Sequence, residues 1–211
     1  MSRPSRRRVL RAVAPVAGLL AAGLLVWQGS YAAFSASTDN TADAWTTGNL
    51  ALTNNGGGAA YSGTTTGIFG GAAQPETGMK PGATGTKCIT VQSTGSLAGN
   101  IKLFRGTITG TNGALLANQL NLTVTGAPIG AAVNVPSDCS NFPATGNVAV
   151  HTGTLTALPT AYGVQTGMAV ATGTQRVAYK IAWTFTSTGS NAGDNALQSS
   201  SSVADLTWEI Q

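Results

Sequence analysis

The 211-residue chain has a formal charge of +4, yet only 9% of its residues are charged and 6% are aromatic. Five of its eleven basic residues (Arg3, Arg6, Arg7, Arg8 and Arg11) lie in the first eleven positions, so residues 33–211 carry 6 − 7 = −1. The basic excess belongs to the N-terminus, and the case it would make for nucleic acid or an anionic membrane as partner lapses for the rest of the chain.

The first element is a leader. Basic residues precede an apolar run at 12–27, and small residues follow at Ser30 and Ala32, the −3 and −1 positions for cleavage between Ala32 and Ala33. This layout predicts a signal peptide over residues 1–32, which meets the membrane only before a signal peptidase removes it. The run is shorter than the ~20 residues that span a bilayer comfortably; an uncleaved anchor is the alternative. Arg6-Arg7 leaves twin-arginine export open beside the general secretory route. Export would place Cys88 and Cys139 where a disulfide persists. Two buried thiols are the alternative, and no further Cys or suitably spaced His completes a metal site.

Beyond residue 33, Gly, Thr, Ser, Ala and Asn dominate, but alternation of apolar and polar residues predicts strands. Residues 48–52 form the first. Residues 53–79, with Gly56-Gly57-Gly58 and Gly70-Gly71, form a long loop. Strands follow at 87–93, 100–109, 120–125 and 147–155, with a tight turn at Asn112-Gly113 and a short helical turn at 114–120. In 176–185, Val177, Tyr179, Ile181, Trp183 and Phe185 share one face, opposite Arg176, Lys180 and Thr184. A Ser-rich loop at 187–202 precedes a last strand with Leu206, Trp208 and Ile210 on one face. Seven or more short strands with long Gly/Ser/Thr-rich loops predict an all-β protein, an antiparallel β-sandwich.

Enzymatic chemistry finds little support in the residues. His151 is the single histidine and sits at an alternating strand position, where a side chain that is merely packed or solvated is the usual case. HExxH, GxSxG, a Walker loop and CxxC are all absent from the sequence. Asp194 with Asn191 and Asn195 fits no calcium-loop spacing. No catalytic residue, metal ligand or cofactor is expected.

Three segments, taken in order, resemble the TasA/camelysin family of exported, fibre-forming proteins of Gram-positive bacteria. The first is Gly29-Ser30-Tyr31-Ala32-Ala33-Phe34-Ser35, followed by Trp45-Thr46-Thr47-Gly48-Asn49-Leu50-Ala51-Leu52. The second is Met79-Lys80-Pro81-Gly82 leading into the passage from Cys88 to Leu97. The third is Asn195-Ala196-Leu197-Gln198 with the closing stretch Val203 to Gln211. Each match is short; the acid that the family carries after the aromatic residue is missing after Phe34, and Ser93 stands where the family prefers Asn. The resemblance implies a jelly-roll-like sandwich over residues 48–211 and a donor strand over 33–47, with Ala33, Phe34, Ala36 and Trp45 among its residues. It further implies head-to-tail self-assembly, in a biofilm matrix or on the cell surface, with an accessory matrix subunit as a further partner. Two other classes compete. One is a monomeric adhesin or carbohydrate-binding sandwich using Tyr61, Trp183 or the Thr/Asn loops. The other is a metalloprotease, a label attached to camelysin-type relatives that lacks a recognisable metal motif here.

Overall fold

Alternating apolar residues do build strands here, and the strands build two antiparallel sheets. The computed structural model describes residues 47–65, 67–69, 76 and 78–211. In chain order the elements are β1 (Leu52–Asn54), β2 (Thr84–Ser93), β3 (Gly99–Arg105), α1 (Gly113–Ala117), β4 (Leu120–Ile129), β5 (Val148–Thr154), a 3-10 turn (Leu155–Ala157), β6 (Met168–Val170), β7 (Gln175–Phe185), α2 (Asn191–Ala196) and β8 (Leu206–Ile210). One sheet runs β1-β2-β7-β4-β5 and the other β6-β3-β8. The protein is therefore an all-β sandwich. Among the described residues no helix is long and apolar enough to cross a membrane.

The inner faces supply the core. Ile89, Val91, Val124, Val177, Tyr179 and Ile181 from the larger sheet meet Ile101, Leu103, Met168 and Ile210 from the smaller one. The whole predicted stripe of β7 is buried, and Trp183 and Phe185 continue it into a second cluster with Leu116 and Leu122. Gly85, opposite Trp183 in the register, lies beneath the indole: a Cβ there would sit 2.5 Å from Nε1. β4 meets β5 across a bulge, with Val124 facing His151 and Thr125 facing Ala149, so Val150 is the extra residue.

A third layer covers part of the outer face. The Cys88–Cys139 disulfide, with Cα atoms 5.1 Å apart, ties the segment around 130–147 to β2. Val135, Ala178 and Cys88 are fully buried beneath it. Asn55 welds the same region together. Its Oδ1 accepts from the Thr90 and Gly57 amides, and its Nδ2 donates to Gly58 O, Asn134 Oδ1 and Val135 O. Thr90 Oγ1 both accepts from Val135 N and donates to Val135 O.

Several boundaries differ from expectation. Residues 48–51 are not a strand: Asn49 bonds the turn after β2 instead, its amide donating to Ser96 Oγ and its Oδ1 accepting from Ser96 N. Leu97 N donates to Asn49 O and Thr94 N to Ala51 O. This clasp needs Gly95, where a Cβ would lie 2.5 Å from Asn49 O. The strand at 100–109 ends at Arg105, whose amide turns to Pro159 O. β6 is an additional strand. The loop at 187–202 contains α2, where Ser190 Oγ caps the Gly193 amide. Asn112 has a positive φ of 52°, as the Asn-Gly pair predicts, and it forms the N-cap of α1.

Candidate functional site

The two open sides of the sandwich are unlike. On the β5/β6 side, Met168 and Val150 close over the Gly126 backbone, where a Cβ would stand 2.7 Å from Met168 Sδ. Met168, Val170 and Val150 are all buried. On the other side the larger sheet ends in β1, whose ladder with β2 is three residues long. The smaller sheet ends in β8, which among the described residues pairs only with β3. Between these edges lies a groove of about 500 Å³.

The groove has an apolar floor and a polar rim. Leu52, Ile68, Phe69, Ile89, Val91, Leu206 and Trp208 line it, with Thr64, Thr65, Asp205 and Thr207 among the polar residues. Chain connectivity explains why one element could not have revealed it. β1, β2, β8 and the segment at 63–69 each contribute a strip.

The free edge of β8 has a defined phase. Gly106 N donates to Asp205 O, and Asn100 and Gln211 exchange both amide bonds. In an antiparallel ladder the bonded residues alternate, so positions 205, 207, 209 and 211 address β3. The N–H and C=O groups of Leu206, Trp208 and Ile210 therefore point to the open side. A strand edge left unpaired among the described residues is a template for another strand.

Three buried polar groups at the groove have no partner among the described residues: Thr53 Oγ1 and Trp208 Nε1, whose residues line it, and Tyr179 Oη beneath. The rings adjoin, with centroids 5.6 Å apart. Tyr179 faces Ile89 across the β2/β7 ladder, and Ile89 itself lines the groove. Burial pushes the Tyr179 phenol far up, so it remains a protonated donor.

The residues expected from sequence fall as follows. Ala32, Ala33, Phe34, Ala36 and Trp45 lie outside the described residues. Cys88 and Cys139 are brought together as a disulfide. Trp183 is 6% exposed and offers no aromatic platform. Tyr61 stacks under the Arg176 guanidinium, 4.6 Å from the ring centroid, and donates to Asn134 Oδ1. His151 Nε2 lies 3.3 Å from Thr154 O, a local contact within its own strand. Among the described residues no group of three or more His, Cys, Asp or Glu is placed to hold a metal ion.

Asp194 is occupied in tying down its own loop. Its carboxylate accepts from Thr188 N at 2.7 Å, Ser187 Oγ at 2.7 Å and Thr188 Oγ1 at 2.8 Å. These bonds, the Thr188 amide foremost, hold its pKa below the ordinary carboxylate value. A depressed pKa means the contribution is present above the unfolded value and lost as pH falls through the folded one. Amide exchange at Thr188 and Gly189, corrected for intrinsic rates, is thus expected to accelerate below about pH 3.8. Asp194→Ala is expected to show that acceleration already at pH 6. Unchanged protection in the variant would remove this role.

Compared with known proteins, the chain matches no protein-family model and no curated protein.

Proposed function

We propose that this protein is a secreted structural subunit that assembles head to tail into extracellular fibres. Residues 33–45 of one copy, released at their front by cleavage before Ala33, add a strand in the β1/β8 groove of the next. The observation that carries this reading is the groove itself, lined by Leu52, Ile68, Phe69, Ile89, Val91 and Trp208 and bordered at Leu206, Trp208 and Ile210 by a strand edge unpaired among the described residues.

The physics is β-augmentation, in which backbone hydrogen bonds supply affinity and alternate side chains fill pockets. Thirteen residues in extended form reach roughly 43–47 Å, ample to run the length of β8. Burying the Phe34 ring contributes about 1.5–3 kcal/mol, and each net backbone bond about 0.5–1.5 kcal/mol. A heterologous contact that does not close into a ring generates an open filament. The likeness to the TasA/camelysin family supports the same reading and suggests a biofilm matrix or the surface of a Gram-positive-type cell. An accessory matrix subunit is a natural further partner.

Negative-stain electron microscopy of the chain beginning at Ala33 is expected to show filaments, and the chain beginning at Thr47 is expected to show none. Filaments from both would place the assembly contact elsewhere on the sandwich.

A further inference from the structure

We propose that the Cys88–Cys139 bond is a redox-operated latch. Reduced by an external dithiol, it frees residues 138–147 from the outer face of the larger sheet, while residues 133–137 and both sheets stay in place. The latch is independent of the fibre reading, since neither the bond nor the segment it holds lines the groove.

The two halves of the third layer are held very differently. Residues 133–137 are tied to the sandwich by hydrogen bonds. Arg176 Nη1 donates to Val133 O, Asn134 Nδ2 donates to Gly58 O, and Val135 exchanges two bonds with Thr90 Oγ1. Ser137 N donates to Gly57 O, and its carbonyl accepts from Cys88 N. Residues 138–147 have nothing comparable. Among the described residues, every hydrogen bond they make stays local: Cys139 N to Pro136 O, Cys139 Sγ to Ser137 O, Phe142 N to Cys139 O, Ser140 N to Asp138 Oδ1 and Asn147 Nδ2 to Pro143 O. Asp138, Ser140, Asn141 and residues 144–147 are exposed. The apolar attachments of this half are Cys139 itself and the Phe142 ring, partly buried against Cys88, Val135 and Ala178. Lys180 Nζ lies 4.9 Å from the centroid of that ring.

Without the covalent link this balance fails. Ordering an exposed segment costs conformational entropy at every residue. Local turns exchange their hydrogen bonds for water at little net cost, and one half-buried ring returns little in compensation. Cys139 also holds a φ of 63°, a left-handed conformation that a released chain abandons. Weakly attached segments of this kind open separately from the cores they lie on.

Access sets the order of the chemistry. Cys88 is fully buried, whereas Cys139 is only partly so. A thiolate of the dithiol therefore attacks Cys139 Sγ; the S–S bond breaks, and its electron pair leaves on Cys88 Sγ, which takes up a proton. The second sulfur of the dithiol, as thiolate, then attacks the first and displaces Cys139, which is protonated in turn. Two electrons and two protons have passed to the protein, and the dithiol departs as a cyclic disulfide.

The test treats the purified protein with dithiothreitol in the absence of denaturant and reads amide exchange residue by residue beside the oxidised form. In the oxidised form the Cys139 and Phe142 amides are expected to exchange at least about tenfold below their intrinsic rates, and after reduction within about threefold of them. The Thr90 and Val135 amides are expected to stay at least about a hundredfold below theirs in both forms, with the emission of Trp183 and Trp208 unchanged. Glutathione in place of dithiothreitol, quenched by acid and mapped by mass spectrometry, is expected on Cys139.

Four results would overturn the latch or its chemistry. Native protein that excess dithiothreitol does not reduce has no operable latch. Equal protection of Cys139 and Phe142 before and after reduction means that other contacts hold the segment. Loss of protection at Thr90 and Val135 together with a shift in tryptophan emission means that the bond holds the sandwich itself. Glutathione found on Cys88 reverses the order of attack.

Discussion

Replacing Cys88 and Cys139 together by alanine is expected to lower the free energy of unfolding by about 4 kcal/mol. The two residues are separated by 51 positions, and the chain-entropy treatment of a closed loop of that size gives this magnitude. What the bond organises explains where the loss would be felt. Cys88 is fully buried in β2, and its amide donates to Ser137 O. Cys139 holds a left-handed φ of 63°, a conformation that side-chain-bearing residues seldom adopt. Once released, the segment at 130–147 would retain Val135 and the Asn55 and Thr90 hydrogen bonds as its anchors. The measurement is a denaturant titration of parent and double variant, with the parent repeated under reductant. A difference below about 1 kcal/mol would show that the loop is already restrained in the unfolded chain.

Tyr179→Ala has an expected cost of the same order, about 3–5 kcal/mol, the range for deleting a large aromatic from a close-packed core. The ring is fully buried between the sheets and adjoins Trp208. Tyr179→Phe separates the ring from its hydroxyl. Because Oη has no partner among the described residues, its burial costs free energy without return. The phenylalanine variant is therefore expected to match the parent or to exceed it by up to about 1 kcal/mol. Chemical denaturation of the monomer reads both. A clear destabilisation by phenylalanine would mean that the hydroxyl is satisfied in solution, for instance by an ordered water.

How far the fold could be read from the sequence depended on how long each pattern was sustained. β7 runs for eleven residues with five large apolar side chains in strict phase, and its whole stripe is buried as expected. β2, β4 and β5 were legible for the same reason, though β2 and β4 extend further than their apolar cores. β6 has three residues, Met168, Ala169 and Val170, too few to show a period. α2 reads as Asn-Ala-Gly-Asp-Asn-Ala, a composition that favours loops; its signal was Ser190 placed three residues before Gly193, a cap without an apolar stripe behind it. Residues 48–51 alternate like a strand, but the Asn49 side chain captures the turn at 94–97 first. The groove was the least legible feature. Its lining comes from stretches near 52, 68, 90 and 206, and only tertiary structure brings those together. The hint was Ile68-Phe69, two large apolar residues inside a Gly/Thr loop.

The clasp between Asn49 and Ser96 has a mechanical meaning. A load applied to the backbone at Thr47 meets this clasp before it meets β1. Three hydrogen bonds join Asn49 to Ser96 and Leu97, a fourth joins Ala51 to Thr94, and the short β1 ladder follows. Several bonds close together along one short stretch share such a load instead of meeting it singly. The clasp would serve as the strain relief of a cable, taking a load applied at Thr47 ahead of the strand it guards.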